Sequence, residues 1–375
     1  MTKILTASFY GKENMIGGSE RFFDNFRLIY PETQHVYFEK AAKVLYNAPK
    51  EALKEFRFFE VEAGVVLDNY LYDYETLFKP DLIIRNSWSG GFIKLNTPEI
   101  AVFQDVHHTA ANILAENGFY NPVAYNRIAI IWTELQKKIA SMSVLNVAVS
   151  EFVKEKMKEI GIDCQKVIYH GIDLNHFKPL NKEELRKKYK IPLDKKVGIW
   201  VGRFHPQKGW HIMSRLIKKF KDIFWICIFM HDVPHRPRFK NCLAVQNAPY
   251  EVMPELYNLA DFFILPTCCE SFGLSSLEAC ACGIPIITQR TGIWYDLYNE
   301  ETGDDGDKDL FLAWNVGYLI NKWNYESYEK AVLKMLKEEI LEPKLKPREI
   351  AEEFSIEKWK KEWKELIDLY ISKEK

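Results

Sequence analysis

The sequence predicts an α/β protein built from two doubly wound domains. The first observation is length, because 375 residues suit two domains at roughly 150 residues each. The second is alternation: short apolar runs typical of strands alternate with helical patterns, an order that indicates parallel sheets. The third is a charged interruption at residues 176–195, after which the alternation starts again. We therefore expect one α/β domain on each side of a linker.

Composition and charge exclude several classes of protein. Hydrophobic residues make up 47% and charged residues 27% of the chain, so it is neither disordered nor collagen-like. The net charge is -1, whereas a dedicated nucleic-acid binder usually carries a basic excess. The longest apolar run, Ile223 to Met230, is far shorter than the ~20 residues of a membrane-spanning helix. Residues 1–5 lack a signal-peptide core, so we expect a cytoplasmic protein. Because the charge is balanced, we expect no nucleic-acid partner.

The first domain is predicted over residues 1–175. It opens with a strand at Lys3–Phe9, a glycine-containing loop and a helix at Glu20–Leu28, which is the opening unit of a doubly wound domain. Further strands and helices alternate behind it: strands Asp81–Arg85, Ile100–Phe103, Asn146–Val149 and Lys166–Ile168, and helices Asn126–Ser141 and Glu151–Ile160. This order predicts a parallel sheet flanked by helices.

The second domain is predicted over residues 176–354. A charged linker with two prolines leads into it and contains a short helix capped by Asn181. The alternation then restarts: strands Val197–Val201, Ile223–Met230, Phe262–Pro266 and Pro285–Thr288, and helices Trp210–Phe220, Val252–Leu259 and Leu274–Ala281. We therefore expect a second parallel sheet.

The last segment, residues 355–375, is predicted to form a helix. Ser355 is a good N-cap, and Glu357 lies in the first turn, where a negative charge is favourable. Apolar side chains line one face: Ile356, Trp359, Trp363, Leu366, Ile367 and Tyr370. Such a face packs on another part of the protein or, as the alternative, docks its tryptophans and lysines on a membrane surface.

Two glutamates eight positions apart give the strongest local signal. Glu270 lies in the loop after the predicted strand Phe262–Pro266, and Glu278 lies inside the helix that begins near Gly273. Backbone N–H groups at a helix start, together with the helix dipole, favour an anion such as phosphate. Carboxylates do not coordinate phosphate, so we expect them to meet hydroxyl groups. The pattern suits a sugar or ribose bound beside a phosphate, with solvated surface acids as the alternative.

A second loop, Val201–Gly209, carries two cations after the predicted strand Val197–Val201. Arg203 offers a fork of donors and Lys208 a point charge, a pair that suits a diphosphate. The loop is not a Walker A motif, because the Gly-Lys-Ser/Thr ending is absent. Ordinary surface cations are the alternative.

With these motifs the chain resembles the family 4 glycosyltransferases of the GT-B fold over nearly its whole length. The segment Glu270–Glu278 resembles the family's paired-glutamate motif, and Gly202–Gly209 resembles its diphosphate loop. Three further segments match in order: the glycine loop Gly17–Glu20, the hinge entry Gly171–Pro179 and the sequel Ala279–Pro285. The resemblance implies two Rossmann-like domains facing a cleft, with the terminal helix crossing back to the first domain.

The resemblance also implies an activity. It implies a retaining transfer of sugar from a nucleoside-diphosphate sugar, linked to UDP or GDP, to a saccharide or a lipid-linked acceptor. Arg203 and Lys208 would neutralise the leaving diphosphate, so no metal or other cofactor is expected. Glu278 would hold the ribose hydroxyls. Because lipid-linked acceptors occur in the family, a peripheral membrane contact stays open.

The remaining donor contacts follow from the same resemblance. Glu270 and the backbone of residues 272–274 would position the donor sugar, namely through Phe272, Gly273 and Leu274. Gly17 and Gly18 would let the first loop approach the phosphates closely.

Two histidines follow the predicted strand Ile100–Phe103. By resemblance, His107 corresponds to the family's active-site histidine, which contacts the donor sugar and joins Arg203, Lys208 and Glu270 as catalytic residues. His108 and Trp88 are expected on the acceptor side. Satisfied polar groups in a loop are the alternative for both histidines.

Some features depart from the family pattern or compete with it. His170 stands where the family usually has Asn, and Thr291–Tyr295 has one glycine and no Glu where the family often shows Gly-Gly-x-x-Glu. The segment Asp304–Asp309 could bind a metal, but it follows no strand, and we expect a solvated acidic loop. Four cysteines lack zinc-site spacing and are expected as buried thiols: Cys268, Cys269, Cys280 and Cys282.

Two rival functions remain. A GT-B-fold sugar-nucleotide epimerase would alter a sugar nucleotide without an acceptor. A catalytically silent partner subunit should have lost its charged donor site, whereas all four charged donor-site residues are present here: Arg203, Lys208, Glu270 and Glu278.

Overall fold

The computed structural model describes residues 2–9, 18–46, 60–230, 233, 238–298, 308–313, 315–337 and 346–373. The chain divides into two compact units, one of Met1–His170 with Glu357–Lys375 and one of Gly171–Ile356. Each unit holds one sheet flanked by helices. The predicted α/β class with two doubly wound sheets is confirmed.

The sheet of the first unit is parallel throughout, with the order β2-β1-β3-β4-β5-β6. Four of its strands, β1, β3, β4 and β5, are buried along their whole length, which explains their continuous apolar sequences. The strands are β1 Ile4–Ser8, β2 Gln34–Tyr37, β3 Leu82–Asn86, β4 Glu99–Phe103, β5 Leu145–Ala148 and β6 Lys166–Val167.

The helices of the first unit differ from prediction in several places. Phe38–Tyr46, Glu60–Phe78 and His107–Glu116 are not predicted, and the predicted helix Glu20–Leu28 ends in a 3₁₀-helix at Asn25–Leu28. The expected helix Asn126–Ser141 is interrupted, because residues Asn126–Ile131 form a π-helix between two α-helices. A π-helical turn is often found at a functional site. The described α-helices are Gly18–Asp24, Phe38–Tyr46, Glu60–Phe78, His107–Glu116, Pro122–Tyr125, Trp132–Met142 and Glu151–Glu159.

A buried aspartate fixes the loop that follows β3. Asp68 is fully buried, and its Oδ2 accepts hydrogen bonds from the backbone N–H groups of Gly91 at 2.9 Å and Phe92 at 2.6 Å. Arg85 Nη1 donates to Asp68 Oδ1 at 2.6 Å. Gly90 has φ +103°, and a Cβ there would lie 2.3 Å from Asp68 Oδ1, so the close approach requires glycine. This loop carries Trp88 in a defined position.

The terminal helix, Ile356–Lys373, packs on the first unit. Trp359 and Trp363 are 2% and 0% exposed, and their rings lie edge-on to Phe22 and Phe26 at centroid distances of 4.9–5.8 Å. The predicted return of this helix to the first domain is confirmed. The two tryptophans are enclosed by the protein, so they cannot dock on a membrane in this packing.

The sheet of the second unit has the order β12-β13-β11-β10-β7-β8-β9 and is parallel except for the pair β12 and β13. Its strands are β7 Val197–Gly202, β8 Phe224–Phe229, β9 Cys242–Gln246, β10 Phe262–Leu265, β11 Ile286–Gln289, β12 Leu310–Ala313 and β13 Gly317–Ile320. The centre of the sheet is thus formed by β11, β10 and β7.

The helices of the second unit follow the predicted alternation. The Asn181 cap is confirmed, since its side chain accepts a hydrogen bond from the Glu184 N–H at 3.2 Å. The described α-helices are Lys182–Tyr189, Trp210–Lys219, Met253–Asn258, Leu274–Ala281, Ile293–Leu297, Tyr325–Leu336 and Pro347–Glu352. Within the described part of the chain, no helix has both the length and the hydropathy to cross a membrane.

Candidate active site

The loops after β7 and β10 bring two predicted site residues together. Strands β7 and β10 are parallel neighbours, so their carboxyl-terminal loops leave the same edge of the sheet. Lys208 comes from the first loop and Glu270 from the second, and Lys208 Nζ lies 2.5 Å from Glu270 Oε1. Their side chains are only 16% and 13% exposed. Distant parts of the sequence thus form one charged centre.

Polar contacts tie the two loops together around this ion pair. The Thr267 hydroxyl lies 2.7 Å from Glu270 Oε1. The Cys268 N–H donates to the Gln207 carbonyl at 2.8 Å, and Gln207 Nε2 donates to the Cys269 carbonyl at 3.1 Å. The Glu270 carboxylate therefore has a fixed orientation before any ligand arrives.

Gly209 allows the two loops to approach each other. Its φ is +67°, and a Cβ at this position would lie 1.7 Å from the Pro266 carbonyl oxygen. No side chain fits there, and an L-residue would also strain the left-handed backbone. The glycine next to Lys208 is therefore required by packing as well as by conformation.

Arg203 lies exposed at the end of β7. Its carbonyl oxygen accepts a hydrogen bond from the His205 N–H at 2.8 Å, which curls the loop just after the strand. Among the residues that the structure describes, the Arg203 side chain forms no ion pair or hydrogen bond. Its guanidinium group is therefore available to an anion, whereas the ammonium group of Lys208 already pairs with Glu270.

The helix Leu274–Ala281 begins at Gly273, which has φ +101°. Phe272 is 3% exposed, and its carbonyl oxygen accepts a hydrogen bond from the Ile293 N–H at 3.0 Å. At Gly292, which has φ +59°, a Cβ would lie 2.6 Å from the same carbonyl oxygen. The segment that departs from the family pattern therefore packs directly on the start of this helix.

Thr291 joins that segment to the paired-glutamate loop. Its hydroxyl donates to the Glu270 carbonyl at 3.0 Å and accepts a hydrogen bond from the Glu270 N–H at 3.3 Å. Although Thr291–Tyr295 lacks the glutamate of the family pattern, it supports the backbone of Glu270 directly.

A buried tyrosine holds the Glu278 carboxylate by a hydrogen bond. Tyr257, on the helix Met253–Asn258, is fully buried and donates a hydrogen bond from its hydroxyl to Glu278 Oε2 at 2.8 Å. The same carboxylate and burial affect a nearby thiol: burial, with the charge of Glu278 adding to it, raises the pKa of Cys282 to about 12. Glu278 is thus held in a fixed position one helical turn into the helix.

In the first unit, the loops after β3 and β4 assemble an aromatic cluster around His107. Trp88 Nε1 donates to Asp105 Oδ2 at 2.9 Å, and His107 Nε2 lies 3.9 Å from the same oxygen. The Trp88 ring stacks on Trp132 at 5.2 Å and on Phe9 at 5.2 Å. The structure therefore places Trp88 beside His107 and largely inside the protein, 9% exposed.

His108 points into a different environment. Its Nδ1 lies 3.4 Å from Asn112 Nδ2, and Tyr125 donates to Asn112 Oδ1 at 2.9 Å. With Lys137 and Glu159 it lines a cavity of about 410 Å³. The two residues predicted on the acceptor side, Trp88 and His108, thus do not share one cluster of contacts.

The other predicted residues lie outside the two clusters of contacts around Glu270 and His107 or outside the described part of the chain. Gly17 and Asp304–Asp307 lie outside the described residues, and Gly18 is the first residue of the helix Gly18–Asp24. The four cysteines near the paired glutamates are buried thiols without disulfide bonds. Within the described ranges, no group of three or more His, Cys, Asp or Glu side chains could hold a metal ion.

Sequence reasoning overlooked the residues that orient the predicted ones. Thr267, Tyr257 and Thr291 support the two glutamates, while Asp105 and Trp132 surround His107. Asp105 had a usable signal, because it follows β4 at the same sheet edge as His107. Thr267 lies three residues before Glu270 in the same loop. Tyr257, Thr291 and Trp132 contact their partners from more than 20 residues away and carry no local motif.

Two parallel-sheet α/β units, with the last helix packed on the first, define the GT-B fold. Solved structures agree over almost the whole chain. Sucrose-phosphate synthase from Thermosynechococcus elongatus superposes with a TM-score of 0.77 at 16% identity, covering 99% of this chain and all of that one. Anabaena HepE, solved in complex with UDP-glucose, gives 0.69 at 16% identity, covering 98% of this chain and 100% of that chain.

Sequence comparison finds a family match for the second unit. Residues 181–354 match the model of the glycosyl transferases group 1, which confirms the resemblance for the second unit. The Bacillus subtilis protein TuaC, a glycosyltransferase named for teichuronic acid biosynthesis, is 29% identical over 161 residues, 42% of this chain and 41% of its own. An uncharacterised glycosyltransferase of Methanocaldococcus jannaschii is 24% identical over 287 residues, 67% of this chain and 68% of its own. The chain therefore spans about two fifths of the first relative and two thirds of the second.

Proposed function

We propose that this protein is a retaining glycosyltransferase that moves a hexosyl group from a nucleoside-diphosphate sugar, linked to UDP or GDP, to a saccharide or lipid-linked acceptor. The observation that carries the proposal is the charged centre of the second unit. Lys208 and Glu270 meet there at 2.5 Å, and the exposed Arg203 stands on the same loop as Lys208. The match of this unit to the glycosyl transferases group 1 supports it.

Each charged residue has a role in the proposed reaction. The bond between the anomeric carbon and the β-phosphate oxygen breaks, and its electron pair stays on the phosphate. Arg203 and Lys208 stabilise the charge that develops there, and the burial of Lys208 strengthens its interaction with that charge. The acceptor oxygen bonds to the anomeric carbon on the same face, and its proton passes to the departing phosphate. Glu270 orients the donor sugar, and His107 contacts it.

Glu278 provides the nucleotide contact in this proposal. Its carboxylate accepts hydrogen bonds from the ribose hydroxyls, while Tyr257 holds it in place. Phe272, Gly273 and Leu274 present backbone N–H groups at the start of the helix Leu274–Ala281, where a negative charge is favoured. Two cations and a helix start supply the positive charge, so we propose that no metal ion is needed.

A ligand screen followed by product analysis tests the function. Thermal unfolding is measured with UDP, GDP, ADP, CMP and dTDP in the presence of EDTA; a ligand at 100 times its dissociation constant stabilises by ~2.7 kcal/mol. The matching radiolabelled nucleotide sugar is then incubated with candidate acceptors, and NMR determines the anomeric configuration of the product. We expect one nucleotide to stabilise selectively and the donor configuration to be retained. An altered donor sugar without any acceptor would indicate an epimerase, and no response to any nucleotide would contradict a donor site.

The acceptor class is tested separately. Saccharides and a lipid-linked saccharide in vesicles are offered to the donor-loaded protein, with vesicles lacking the saccharide as control. Transfer only to the lipid-linked form, together with co-sedimentation, would assign a membrane-surface substrate. Transfer to free saccharides without co-sedimentation would assign a dissolved acceptor.

A further inference from the structure

We infer that the cavity beside His108 is a saccharide subsite, which holds a sugar unit of the acceptor that does not itself react. This rests on the proposed function, because only a transferase has an acceptor, but saccharide binding can be measured without any transfer. The cavity lies wholly within the first unit and has a volume of about 410 Å³. Ligand pockets typically measure about 300–1,000 Å³, so the space suits a short saccharide.

The wall of the cavity includes the junction between the π-helix Asn126–Ile131 and the helix Trp132–Met142. Thr133 follows this junction directly and lines the cavity. At the junction the N–H of Trp132 donates to the carbonyl of Arg127, as the π-helical pattern requires. A π-helical turn changes the spacing of the carbonyl groups that follow one another along the helix, and such turns are frequent at functional sites.

Thr133 carries a buried hydroxyl without a partner. The residue is 5% exposed, and its Oγ1 forms no hydrogen bond with any part of the chain that the structure describes. A threonine in a helix commonly bonds a carbonyl three or four residues back. Those carbonyls belong here to Ile130 and Ala129, which lie in the π-helix. An unpaired buried hydroxyl is costly, and a ligand hydroxyl in the cavity can supply its partner.

His108 adds an oriented ring to the lining. Its Nδ1 lies 3.4 Å from Asn112 Nδ2, and the Tyr125 hydroxyl donates to Asn112 Oδ1 at 2.9 Å. Within the described part of the chain, Nε2 of this ring has no hydrogen-bond partner. An imidazole nitrogen can donate to a ligand hydroxyl or accept from one, so His108 offers the cavity a second polar contact.

The charged groups of the lining favour a neutral ligand with many hydroxyl groups. Lys137 Nζ lies 2.9 Å from Glu134 Oε1, and Glu159 pairs with Lys156 at 2.6 Å. An anion would therefore meet two carboxylates and one ammonium group in the lining. A sugar hydroxyl both donates and accepts, so it can bond to carboxylate oxygens and to an ammonium group alike.

Apolar side chains complete the lining. Ala129, Ile130 and Ile160 border the cavity, and Ile130 is 51% exposed. The C–H face of a sugar ring can cover this surface and remove it from water. Polar groups beside an apolar wall thus match a sugar ring, which has hydroxyl groups at its edge and C–H groups on its faces.

The direct test is an NMR titration of the whole protein, labelled in its threonine methyl groups and histidine rings, without any nucleotide. The probes are maltotriose, mannotriose, lactose and triacetylchitotriose, and inorganic phosphate is the anionic probe. We expect a neutral saccharide to shift the Thr133 and His108 signals to saturation, and phosphate to shift neither. If no saccharide moves these signals, or if phosphate alone moves them, the inference is wrong.

Thr133→Val removes the hydroxyl and keeps the shape of the side chain. Because that hydroxyl is unpaired in the free protein, the variant should unfold at the temperature of the wild type or above. It should bind the saccharide about three- to tenfold more weakly, as the loss of one hydrogen bond predicts. Equal affinity in the variant and the wild type would overturn the inference.

Thr76→Val is the matched control. Thr76 is an exposed threonine of the same unit, and its hydroxyl donates to the Asp73 carbonyl at 2.7 Å. The control should bind the saccharide as the wild type does. If Thr133→Val does not fold, His108→Phe takes its place, since it keeps a ring and removes both nitrogens. We expect a similar loss of affinity there, and an unchanged affinity would contradict the subsite.

Acceptor length separates this inference from the proposed function. With the matching nucleotide sugar, the wild type should show a lower KM for an acceptor that carries the additional sugar unit than for one that lacks it. Thr133→Val should reduce this ratio of KM values about three- to tenfold, because the hydrogen bond serves binding alone. Saccharide binding without transfer from any donor would refute the proposed function and leave the saccharide site in place. Transfer with the same KM ratio in both proteins would overturn the subsite and leave the proposed function standing.

Discussion

Lys208 Nζ lies 2.5 Å from Glu270 Oε1, so the cation expected to meet the diphosphate is already paired with the carboxylate expected to meet the sugar. Both side chains are more than four-fifths buried, with 16% and 13% exposed. An ammonium group has three donors, so Lys208 can keep Glu270 while donating to a phosphate oxygen. The pair therefore holds Glu270 in position as well as attracting the donor.

The first prediction concerns the stability of this pair. Lys208→Met and Glu270→Gln each leave a largely buried polar partner behind, and each should lower the free energy of unfolding by about 1–3 kcal/mol. The double variant should lose less than the sum, because neither charge is then unpaired. Urea unfolding of the four proteins measures the coupling. Additive losses would show that the pair contributes nothing to folding.

The second prediction separates Arg203 from Lys208. Arg203 is exposed, so Arg203→Ala should leave the unfolding free energy unchanged within ~0.5 kcal/mol. The substitution should weaken the binding of a nucleoside diphosphate by about 1.5–3 kcal/mol, the range for hydrogen bonds to charged groups. It should also lower turnover. The unphosphorylated nucleoside should bind as before. Calorimetric titration with both ligands measures the two binding free energies. An equal loss of binding free energy for both ligands would show that Arg203 does not contact the phosphates.

The third prediction tests the ribose contact through Tyr257 and Glu278. Glu278→Ala should weaken the binding of the ribonucleotide by ~1.5–3 kcal/mol. Tyr257→Phe should weaken it by only ~0.5–1.5 kcal/mol, because the Tyr257 hydroxyl orients the Glu278 carboxylate and does not contact the ribose. 2′,3′-Dideoxy nucleotides, which lack both hydroxyls, should bind to the wild type and to the variants with equal affinity. Isothermal titration of each protein with each nucleotide checks this. Equal losses for the deoxy nucleotides would place Glu278 away from the ribose.

The sequence predicts the centre of each sheet better than its edges. Strands β3, β4, β7 and β10 are buried on both sides and therefore appear as continuous apolar runs. Four strands are overlooked: β2, β9 and β12 are sheet edges, and β9 is only partly buried throughout, whereas β13 is an internal, fully buried strand of only four residues. An edge strand is half solvated, so its sequence lacks the apolar run that identifies a central strand.

The same contrast applies to the site. Lys208 and Glu270 follow predicted strands, and parallel pairing brings such loops to one edge, so their meeting is accessible to sequence reasoning. Tyr257 supports Glu278 from a helix, and its role depends on how that helix packs. Trp132 reaches His107 across 25 residues of chain that include a π-helix, which no local pattern predicts.

The fourth prediction concerns Gly209, where conformation and packing both demand glycine. A Cβ there would lie 1.7 Å from the Pro266 carbonyl oxygen, so Gly209→Ala must push the two site loops apart. Gly118 is the matched control, because its φ is +74° and a Cβ there would meet nothing within 4 Å. Gly118→Ala should cost only the backbone strain of ~1–2 kcal/mol. Gly209→Ala should cost more and weaken nucleotide binding, as urea unfolding and calorimetry would show; similar losses in both would mean that the loops adapt.

The last prediction concerns His170, which stands where the family usually has Asn. Burial lowers its pKa from 6.5 to about 3, and its ring lies edge-on to Phe22 at 5.2 Å. Between these values the unfolded chain binds the proton and the folded protein does not, so acidification below about pH 6.5 destabilises the fold.

The slope that this residue adds is at most ~1.4 kcal/mol per pH unit, the contribution of one proton. In His170→Asn that contribution disappears, so the variant should lose less stability than the wild type between about pH 7 and pH 5. Urea unfolding of both proteins over this range measures the difference between their free energies of unfolding. The contributions of the other histidines are the same in both proteins and cancel in this difference. Parallel curves for the two proteins would mean that His170 takes up its proton in the folded state as readily as in the unfolded chain.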